Sequence, residues 1–502
     1  MRSIIILMFA VCALGTAHAD TTAEIKGKQL TLSVDTRASA NLIYQLDCMA
    51  ELIRCDPALF QNLWHGELGF DAEDQKLLDE WKHVRMPLAE RDRSPTPEPE
   101  IAASFPLSPS EDPTVWADVL RAGYGATDHT LIYAAEHKFL LPQEADAIQR
   151  ITEHFRARFE RWWPDNNQTV TTFVPALKDA LAKARGFELM TAATAFYGAD
   201  LGDGRLQVHL IALPKGKLTH TNAVRLGSHL VVEVIAGETP EARVDVVVHE
   251  LAHHVFGSMP MERKAAFMEH MLAAGDGAIP AWNYFDEIQA TVIGNLISYR
   301  NLATPDQFRR KWDRPLSFYA SEPIDLGARA AHQLFDTAFA IGGPMPDSFP
   351  AAFVDAFRRG LGVKVETPAA YLNTLFSISL DPGDKDRKRR LRVALHSSSA
   401  WEYDAEDVEP FLNRARRYPA VSVVVIARPD KIGAIDAWHD VLAVTGQELS
   451  DATRGADGFI FIAKRSKNGY AFIVSARNDV AMDALIAALP SCPLTPGVCK
   501  RL

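Results

Sequence analysis

The chain has 502 residues, which is more than a single hydrophobic core usually supports, so we expect two or three domains. Hydrophobic residues make up 47% and charged residues 23%, a composition that excludes disordered, fibrous and multi-span membrane proteins. The formal net charge of -11 argues against a nucleic-acid partner, because phosphate contacts require clustered Lys and Arg.

The first 19 residues have the three parts of a secretory signal peptide. Arg2 supplies the positive charge, residues 4–14 form an apolar run, and Ala-His-Ala at 17–19 is a small-x-small cleavage site. The apolar run is about half the roughly 20 residues that a membrane span needs. We therefore expect an exported protein, periplasmic or secreted, with a mature chain from Asp20 and no membrane span. A membrane anchor and a lipoprotein modified at Cys12 are the alternatives.

Four cysteines remain after this segment, in two close pairs: Cys48 with Cys55, and Cys492 with Cys499. Export makes disulfides the expected state. Seven positions along a continuous helix span about 10.5 Å, which is too far for a bridge. Cys48 therefore reaches Cys55 only if the helix breaks before Pro57. Other pairings and buried free thiols stay open.

The residues before the motif described next have the pattern of a strand followed by helices. Apolar and polar residues alternate over 29–35, which predicts a half-buried strand, and helical spacing then predicts a helical region over 20–93. Six prolines in residues 94–113 indicate a linker or a long surface loop. A mostly helical stretch leads to two predicted strands, 205–213 and 228–236.

The segment 239–257 has the strongest chemical signature in the chain. Thr239 is a capping residue, Pro240 suits the first helical position, and a glycine ends the segment, so a helix is predicted in spite of its valines. At about 100° per residue, the apolar residues form one stripe, and His249 and His253 lie on another face, towards a cleft.

The two histidines are one helical turn apart, a spacing that lets both bind one Zn²⁺ with nitrogens at about 2.0 to 2.1 Å. Glu250 projects beside such an ion, where it can hold and deprotonate a zinc-bound water. A surface helix with coincidental histidines is the alternative interpretation. His254 points about 100° away from His253 and is expected to be structural.

The motif His249-Glu250-x-x-His253 resembles that of the zinc metallopeptidases. The metzincin type requires a glycine and a third histidine after the motif, and Phe256 and Met259 occupy those positions. The gluzincin type, which is similar to thermolysin, takes a glutamate from a second helix downstream instead. The chain therefore resembles the gluzincins over about residues 205–300.

This resemblance makes Glu287 the expected third metal ligand. It lies in the segment 282–291, whose apolar spacing predicts a helix that can pack against the first. The rivals for the third ligand are Asp286, Glu269 and His270.

The resemblance implies one Zn²⁺, a peptide or protein substrate, and Glu250 as the general base of peptide hydrolysis. In such families an antiparallel edge strand binds the substrate backbone, and our candidate is 228–236. A Tyr or His stabilises the oxyanion, for which Tyr284, Tyr299 and Tyr319 are candidates. Two other functions stay open: a zinc hydrolase of another amide, such as a cell-wall crosslink, and a non-catalytic zinc-binding envelope protein.

The composition changes at the charged run 384–392, which we interpret as a solvated junction. After it, buried strands alternate with helical stretches, which predicts a small α/β domain over 384–502. The predicted strands are 392–396, 421–428, 459–465 and 471–477. With a zinc metallopeptidase domain over 114–383, the expected fold class is α+β, a mostly helical core with a small edge sheet and a C-terminal α/β domain.

Overall fold

The computed structural model has the predicted α+β fold, with many helices and two mixed sheets. It describes residues 22–53, 55–85, 115–126, 132, 138–214, 221–235, 237–362, 367–372, 374–381, 385–395 and 399–502. The predicted signal peptide and the proline-rich segment lie outside these residues. Across the described ranges, no helix is both long and apolar enough to cross a bilayer.

Within the described ranges, the first sheet has five strands in the order β1-β2-β3-β5-β4. Strands β2, β3 and β5 are parallel, and β1 and β4 pair antiparallel at the two edges. The strands are β1 (Thr22–Lys26), β2 (Thr31–Asp35), β3 (Arg205–Leu213), β4 (Ala223–Leu226) and β5 (His229–Ile235). Helices described between β2 and β3 include α1 (Ala38–Met49), α2 (Pro57–Leu63), a π-helical turn (Trp64–Leu68), α3 (Ala72–Arg85), α4 (Val115–Gly125), α5 (Pro142–Lys183) and α6 (Gly186–Tyr197).

The predicted strands of this sheet are confirmed, but the expectation that 228–236 is an edge strand is wrong. Strand β5 lies between β3 and β4 and is bonded on both sides. The short strand β4 forms the edge instead, because it folds back onto β5 through the turn at Gly227, which has a φ of 64°. Val224 in β4 is 41% exposed, as suits an edge position.

The middle of the chain is helical, as predicted. It packs with the first sheet into one continuous hydrophobic core. Its elements are α7 (Val244–Gly257), α8 (Met261–Ala273), α9 (Ala278–Ala290), a π-helical segment (Thr291–Ser298), α10 (Tyr299–Leu302), α11 (Pro305–Trp312), α12 (Glu322–Ile341), α13 (Phe349–Leu361) and α14 (Pro368–Tyr371).

The second sheet has six strands in the order β11-β9-β10-β8-β6-β7, and helices cover both faces. Strand β6 belongs to this sheet, so the sheet begins before the junction expected at residues 383 and 384, inside the stretch expected to be helical. The strands are β6 (Thr374–Ser379), β7 (Ser399–Tyr403), β8 (Ser422–Ala427), β9 (Gly458–Lys464), β10 (Tyr470–Ala476) and β11 (Gly497–Arg501). The helices are α15 (Lys385–Leu395), α16 (Val408–Arg417), α17 (Ile432–Ile435), α18 (His439–Leu442), α19 (Gly446–Thr453) and α20 (Asp479–Ala488).

Two expectations about residues 384–396 are wrong. Residues 392–395 belong to helix α15 rather than to a strand, because Leu391 and Leu395, four positions apart, face the core while Val393 is 66% exposed. The charged run is also not simply solvated. Arg387 is buried and pairs with Asp381 at 2.9 Å and with Asp479 at 2.7 Å.

Of the pairings that the sequence left open, the cysteines form the two short-range ones, Cys48 with Cys55 and Cys492 with Cys499, each with 5.8 Å between Cα atoms. Helix α1 ends at Met49, which gives the break that the first pair requires. Two disulfides are typical of proteins in an oxidising compartment.

A buried polar network crosses the first sheet. His209 Nδ1 lies 2.8 Å from Asp35 Oδ1, and His209 Nε2 lies 2.8 Å from His229 Nδ1. Burial lowers the pKa of His229, and the nearby His209 and two arginines lower it further, to about 3. His229 is therefore neutral in the folded protein at neutral pH.

We expect this network to make stability fall in mild acid. The folded pKa of His229 is below the ordinary value of 6.5, so the unfolded chain takes up the proton first and stability drops as the pH falls from 6.5 towards 3. His229 should lower the free energy of unfolding by about 1 to 2 kcal/mol between pH 7.5 and pH 5. Urea unfolding of the wild type and of His229→Gln at both pH values measures the difference. An equal loss in both proteins would contradict the assignment.

Candidate metal site

The motif helix α7 begins later than expected. A 3-10 turn spans Pro240–Ala242, the α-helix starts at Val244, and Thr239 makes no side-chain capping bond. The valines are tolerated because Val244, Val247 and Val248 are fully buried, so packing outweighs their strand preference. Helix α7 contacts β4 and β5 on one side and the π-helical segment on another. The motif is thereby held between the first sheet and the helix that carries Glu287.

Three side chains from these two helices converge on one point. His249 Nε2 and His253 Nε2 are 3.0 Å apart, and Glu287 Oε2 lies 3.6 Å from the first and 3.7 Å from the second. The ligands of a tetrahedral zinc ion are separated by about 3.3 Å, as follows from bonds of about 2.0 to 2.1 Å. The spacing of these donor atoms therefore fits one ion of that size.

The environment of Glu287 also fits a cation. Its Oε2 atom is buried and has no hydrogen-bond partner in the described structure. Burial raises the pKa of this carboxyl, but the neighbouring His249 imidazole and the charge of His253 outweigh it, so the pKa lies below its usual value. A buried, ionised oxygen without a hydrogen bond is costly unless a positive charge lies beside it.

Each histidine is oriented by a hydrogen bond at its other nitrogen. His249 Nδ1 lies 2.8 Å from Asn295 Oδ1, and His253 Nδ1 lies 2.7 Å from Asp286 Oδ1. Gln289 donates to the same oxygen of Asp286 at 3.1 Å. When Nδ1 donates to these oxygens, Nε2 presents its lone pair to the point of convergence, as metal-bound histidines do.

His253 and Asp286 form an ion pair when no cation is bound. Burial lowers the pKa of His253, but Asp286, Glu287 and Glu250 raise it to about 9. Burial raises the pKa of Asp286, and His253 lowers it to about 2. A cation that binds at His253 Nε2 therefore replaces a proton.

Glu250 lies beside the converging donors without belonging to them. The metal-ligand group in the described residues comprises His249, His253 and Glu287. Glu250 is 8% exposed, and its charge acts on His253. Its carboxylate is thus close to the site but is not one of the converging ligands.

The rivals for the third ligand have other positions. Asp286 is bonded to the far nitrogen of His253, and Glu269 and His270 are exposed on α8. His254 forms a hydrogen bond with the Gly227 backbone in the turn before β5. Burial, with the charge of Arg225, lowers the pKa of His254 to about 4, so it stays neutral.

The three tyrosine candidates differ in what they contact. Tyr284 is fully buried and donates to the Ala369 carbonyl at 3.0 Å, so its hydroxyl is committed elsewhere. Lys311 lies over the Tyr299 ring at 4.0 Å. Tyr319 is the one of the three whose ring contacts a metal-site residue, at 6.0 Å between its centroid and that of His249.

Asn295 was missed from the sequence because a regular helix would have turned it away. At 100° per residue, the eight positions from Glu287 to Asn295 leave the two residues about 80° apart. The π-helical segment starts at Thr291, and its wider turns rotate each residue by only about 80 to 90°. Both side chains therefore reach His249 from the same face.

Gly294 permits the close approach of the π-helical segment to α7. A Cβ atom there would lie 2.5 Å from His249 N and 2.7 Å from Asp245 O, and neither backbone atom can move aside cheaply. We expect Gly294→Ala to destabilise the fold by about 1 to 3 kcal/mol through overpacking. It should also weaken metal binding, because Asn295 moves with the segment.

Thermal unfolding and zinc affinity of this variant give the measurement. Gly433→Ala is the matched control, because a Cβ atom at this helical glycine would meet nothing within 4 Å. We expect the control to match the wild type or exceed it slightly. Equal stability of the Gly294 and Gly433 variants would contradict the close-packing argument.

Comparisons with known proteins gave no match: no family model, curated protein or solved structure matches the chain. The chemistry of the site therefore has to be argued from its own geometry.

Proposed function

We propose that the protein is an exported zinc-dependent peptidase of the gluzincin type. The observation that carries the proposal is the convergence of His249 Nε2, His253 Nε2 and the buried Glu287 Oε2 at 3.0 to 3.7 Å. Two neutral imidazoles and one carboxylate suit Zn²⁺ and are typical of catalytic sites, which leave a fourth position for water. The disulfides support export.

The bound ion would supply an activated water and polarise the substrate carbonyl. Glu250 takes the proton of that water during attack and passes it to the leaving amine. Asn295 and Asp286 hold the two imidazoles in the required tautomer. Of the tyrosines considered, Tyr319 is our candidate for stabilising the oxyanion, because its ring lies against His249.

The substrate backbone would pair with β4, the strand at the sheet edge beside α7. Strand addition needs unpaired backbone groups, and among the described strands β4 has a neighbour on one side only. This assignment replaces β5, which is bonded on both sides.

Incubation with a mixed peptide library, read by mass spectrometry, tests the proposal. We expect cleavage by the purified protein, loss of cleavage after chelation, and recovery when Zn²⁺ is restored. A protein that holds one equivalent of zinc and cleaves no peptide would overturn the peptidase assignment. Release of fragments from cell-wall crosslinks alone would support a zinc hydrolase of another amide.

A further inference from the structure

Ten residues, 312–321, run from the last residue of α11 to the residue before α12, and Tyr319 among them contacts His249 of the metal site. Arg329 of α12 holds the first part of this segment. The guanidinium donates to the carbonyl oxygens of Trp312 and Arg314, the latter at 2.8 Å, and to Ser317 Oγ at 3.0 Å. One planar side chain thus fixes three points of the segment.

Asp325 holds the second part. Its Oδ1 accepts from the backbone N–H groups of Phe318 at 3.0 Å and Tyr319 at 3.4 Å, while Oδ2 accepts from Arg329 Nε at 2.7 Å. Asp325 is 1% exposed, so this ion pair is shielded from solvent. Arg329 and Asp325 therefore act together as one clamp on the segment.

The backbone between these anchors is strained. Leu316 has a φ of 53°, although its side chain is 48% exposed and gains little from packing. A left-handed conformation at such a residue costs roughly 1 to 2 kcal/mol and persists only where the surroundings impose it. The clamp imposes it, because Arg329 bonds to Arg314 on one side of Leu316 and to Ser317 on the other.

The strained segment places the ring of Tyr319 against a residue of the metal site. The Tyr319 ring lies nearly parallel to the His249 imidazole, with 23° between the planes and 6.0 Å between the centroids. Offset stacking of this kind is favourable, and the attraction grows when the partner ring becomes more positive. An imidazole becomes more positive when its Nε2 binds a cation, so this contact favours the metal-bound state.

We propose that Tyr319, held by the Asp325–Arg329 clamp, is a positioning residue that orients His249 and raises the metal affinity of the site. Tyr319 limits the movement of the His249 ring by packing on one of its faces, while Asn295 limits it through the hydrogen bond at Nδ1. The inference rests on the metal site of the proposed function but not on peptide cleavage. The ring of Tyr319 positions a metal ligand, whereas its hydroxyl would act on the substrate.

Zinc affinity, measured by competition with a chromophoric chelator, tests the inference. We expect Tyr319→Leu to weaken zinc binding about 10-fold or more, the scale seen when residues that orient metal ligands are removed. Tyr319→Phe keeps the ring and should stay within about 2-fold of the wild type. Arg329→Met should weaken binding as Tyr319→Leu does, and the double variant should be no weaker than either single variant.

Arg329→Lys keeps a charge beside Asp325 but loses the planar guanidinium, so we expect an intermediate loss of zinc affinity. This variant takes the place of Arg329→Met if Arg329→Met fails to fold. Arg300→Met is the control, because it breaks a paired Arg–Asp contact with the same helix, at Asp336, that includes none of the hydrogen bonds of the clamp. The visible spectrum of bound Co²⁺ should change in the Leu and Met variants and stay unchanged in the control.

Equal zinc affinity of the wild type, Tyr319→Leu and Arg329→Met would overturn the inference while leaving the peptidase proposal intact. So would additive losses in the double variant. A wild-type protein that binds no zinc would overturn both, and a wild type that binds zinc without cleaving peptides would overturn the peptidase alone.

Discussion

Replacement of Glu250 by glutamine is expected to reduce kcat for peptide cleavage by about 10²- to 10⁴-fold while leaving the zinc content unchanged. Glutamine has the same shape but cannot accept a proton from the attacking water. Metal is retained because Glu250 lies outside the group formed by His249, His253 and Glu287. Steady-state kinetics and elemental analysis of the same preparation give the two quantities.

Glu262→Gln provides the control for this experiment, since Glu262 is exposed in the first turn of α8. Its kcat should equal that of the wild type. Full cleavage by the Glu250 variant would exclude Glu250 as the general base. Loss of zinc from that variant would show instead that Glu250 contributes to binding the ion.

Glu287→Ala is expected to lower zinc affinity at least about 100-fold. Structural zinc sites gain roughly 10 to 16 kcal/mol from four ligands, so one ligand contributes about 3 kcal/mol. The fold should survive, because the mutation removes a carboxylate whose buried Oε2 atom lacks a hydrogen bond. Zinc stoichiometry after dialysis and the affinity from chelator competition measure the loss.

Glu269→Ala is the matched control, because Glu269 was a rival ligand and is exposed on α8. It should bind zinc as the wild type does. Glu287→Gln should behave like Glu287→Ala, because an amide oxygen is a poor zinc ligand compared with a carboxylate. Stoichiometric zinc in both Glu287 variants would refute the three-residue site.

Local sequence patterns were sufficient to predict an element where the residue types and the helical or strand period indicate the same structure. The spacing of His249 and His253 predicted a shared helix face, and alternating or continuous apolar runs predicted β3 and β5 nearly to the residue. A break before Pro57 was predicted as the condition for a bridge between Cys48 and Cys55, and α1 ends at Met49. In each case the evidence lies within about one element of sequence.

Long-range pairing could not be predicted in the same way. Whether β5 is an edge depends on β4, a four-residue strand too short to show a period. Asn295 depends on a π-helical turn that no pattern indicated, and Tyr319 depends on Arg329, ten residues further along the chain. Residues 392–395 form a helix rather than the predicted strand because Leu391 and Leu395 pack together against the second sheet, a contact that the local sequence does not show.

The join between the two halves of the protein has a mechanical consequence. Asn283 donates to the Tyr371 carbonyl at 3.2 Å, and Tyr284 donates to the Ala369 carbonyl, so α14 is fastened to the helix that bears Glu287. Strand β6 starts three residues after α14 ends, which leaves almost no slack. Unfolding of the second sheet would therefore displace the helix that bears Glu287, so a change in metal affinity is expected to report on whether that sheet is intact.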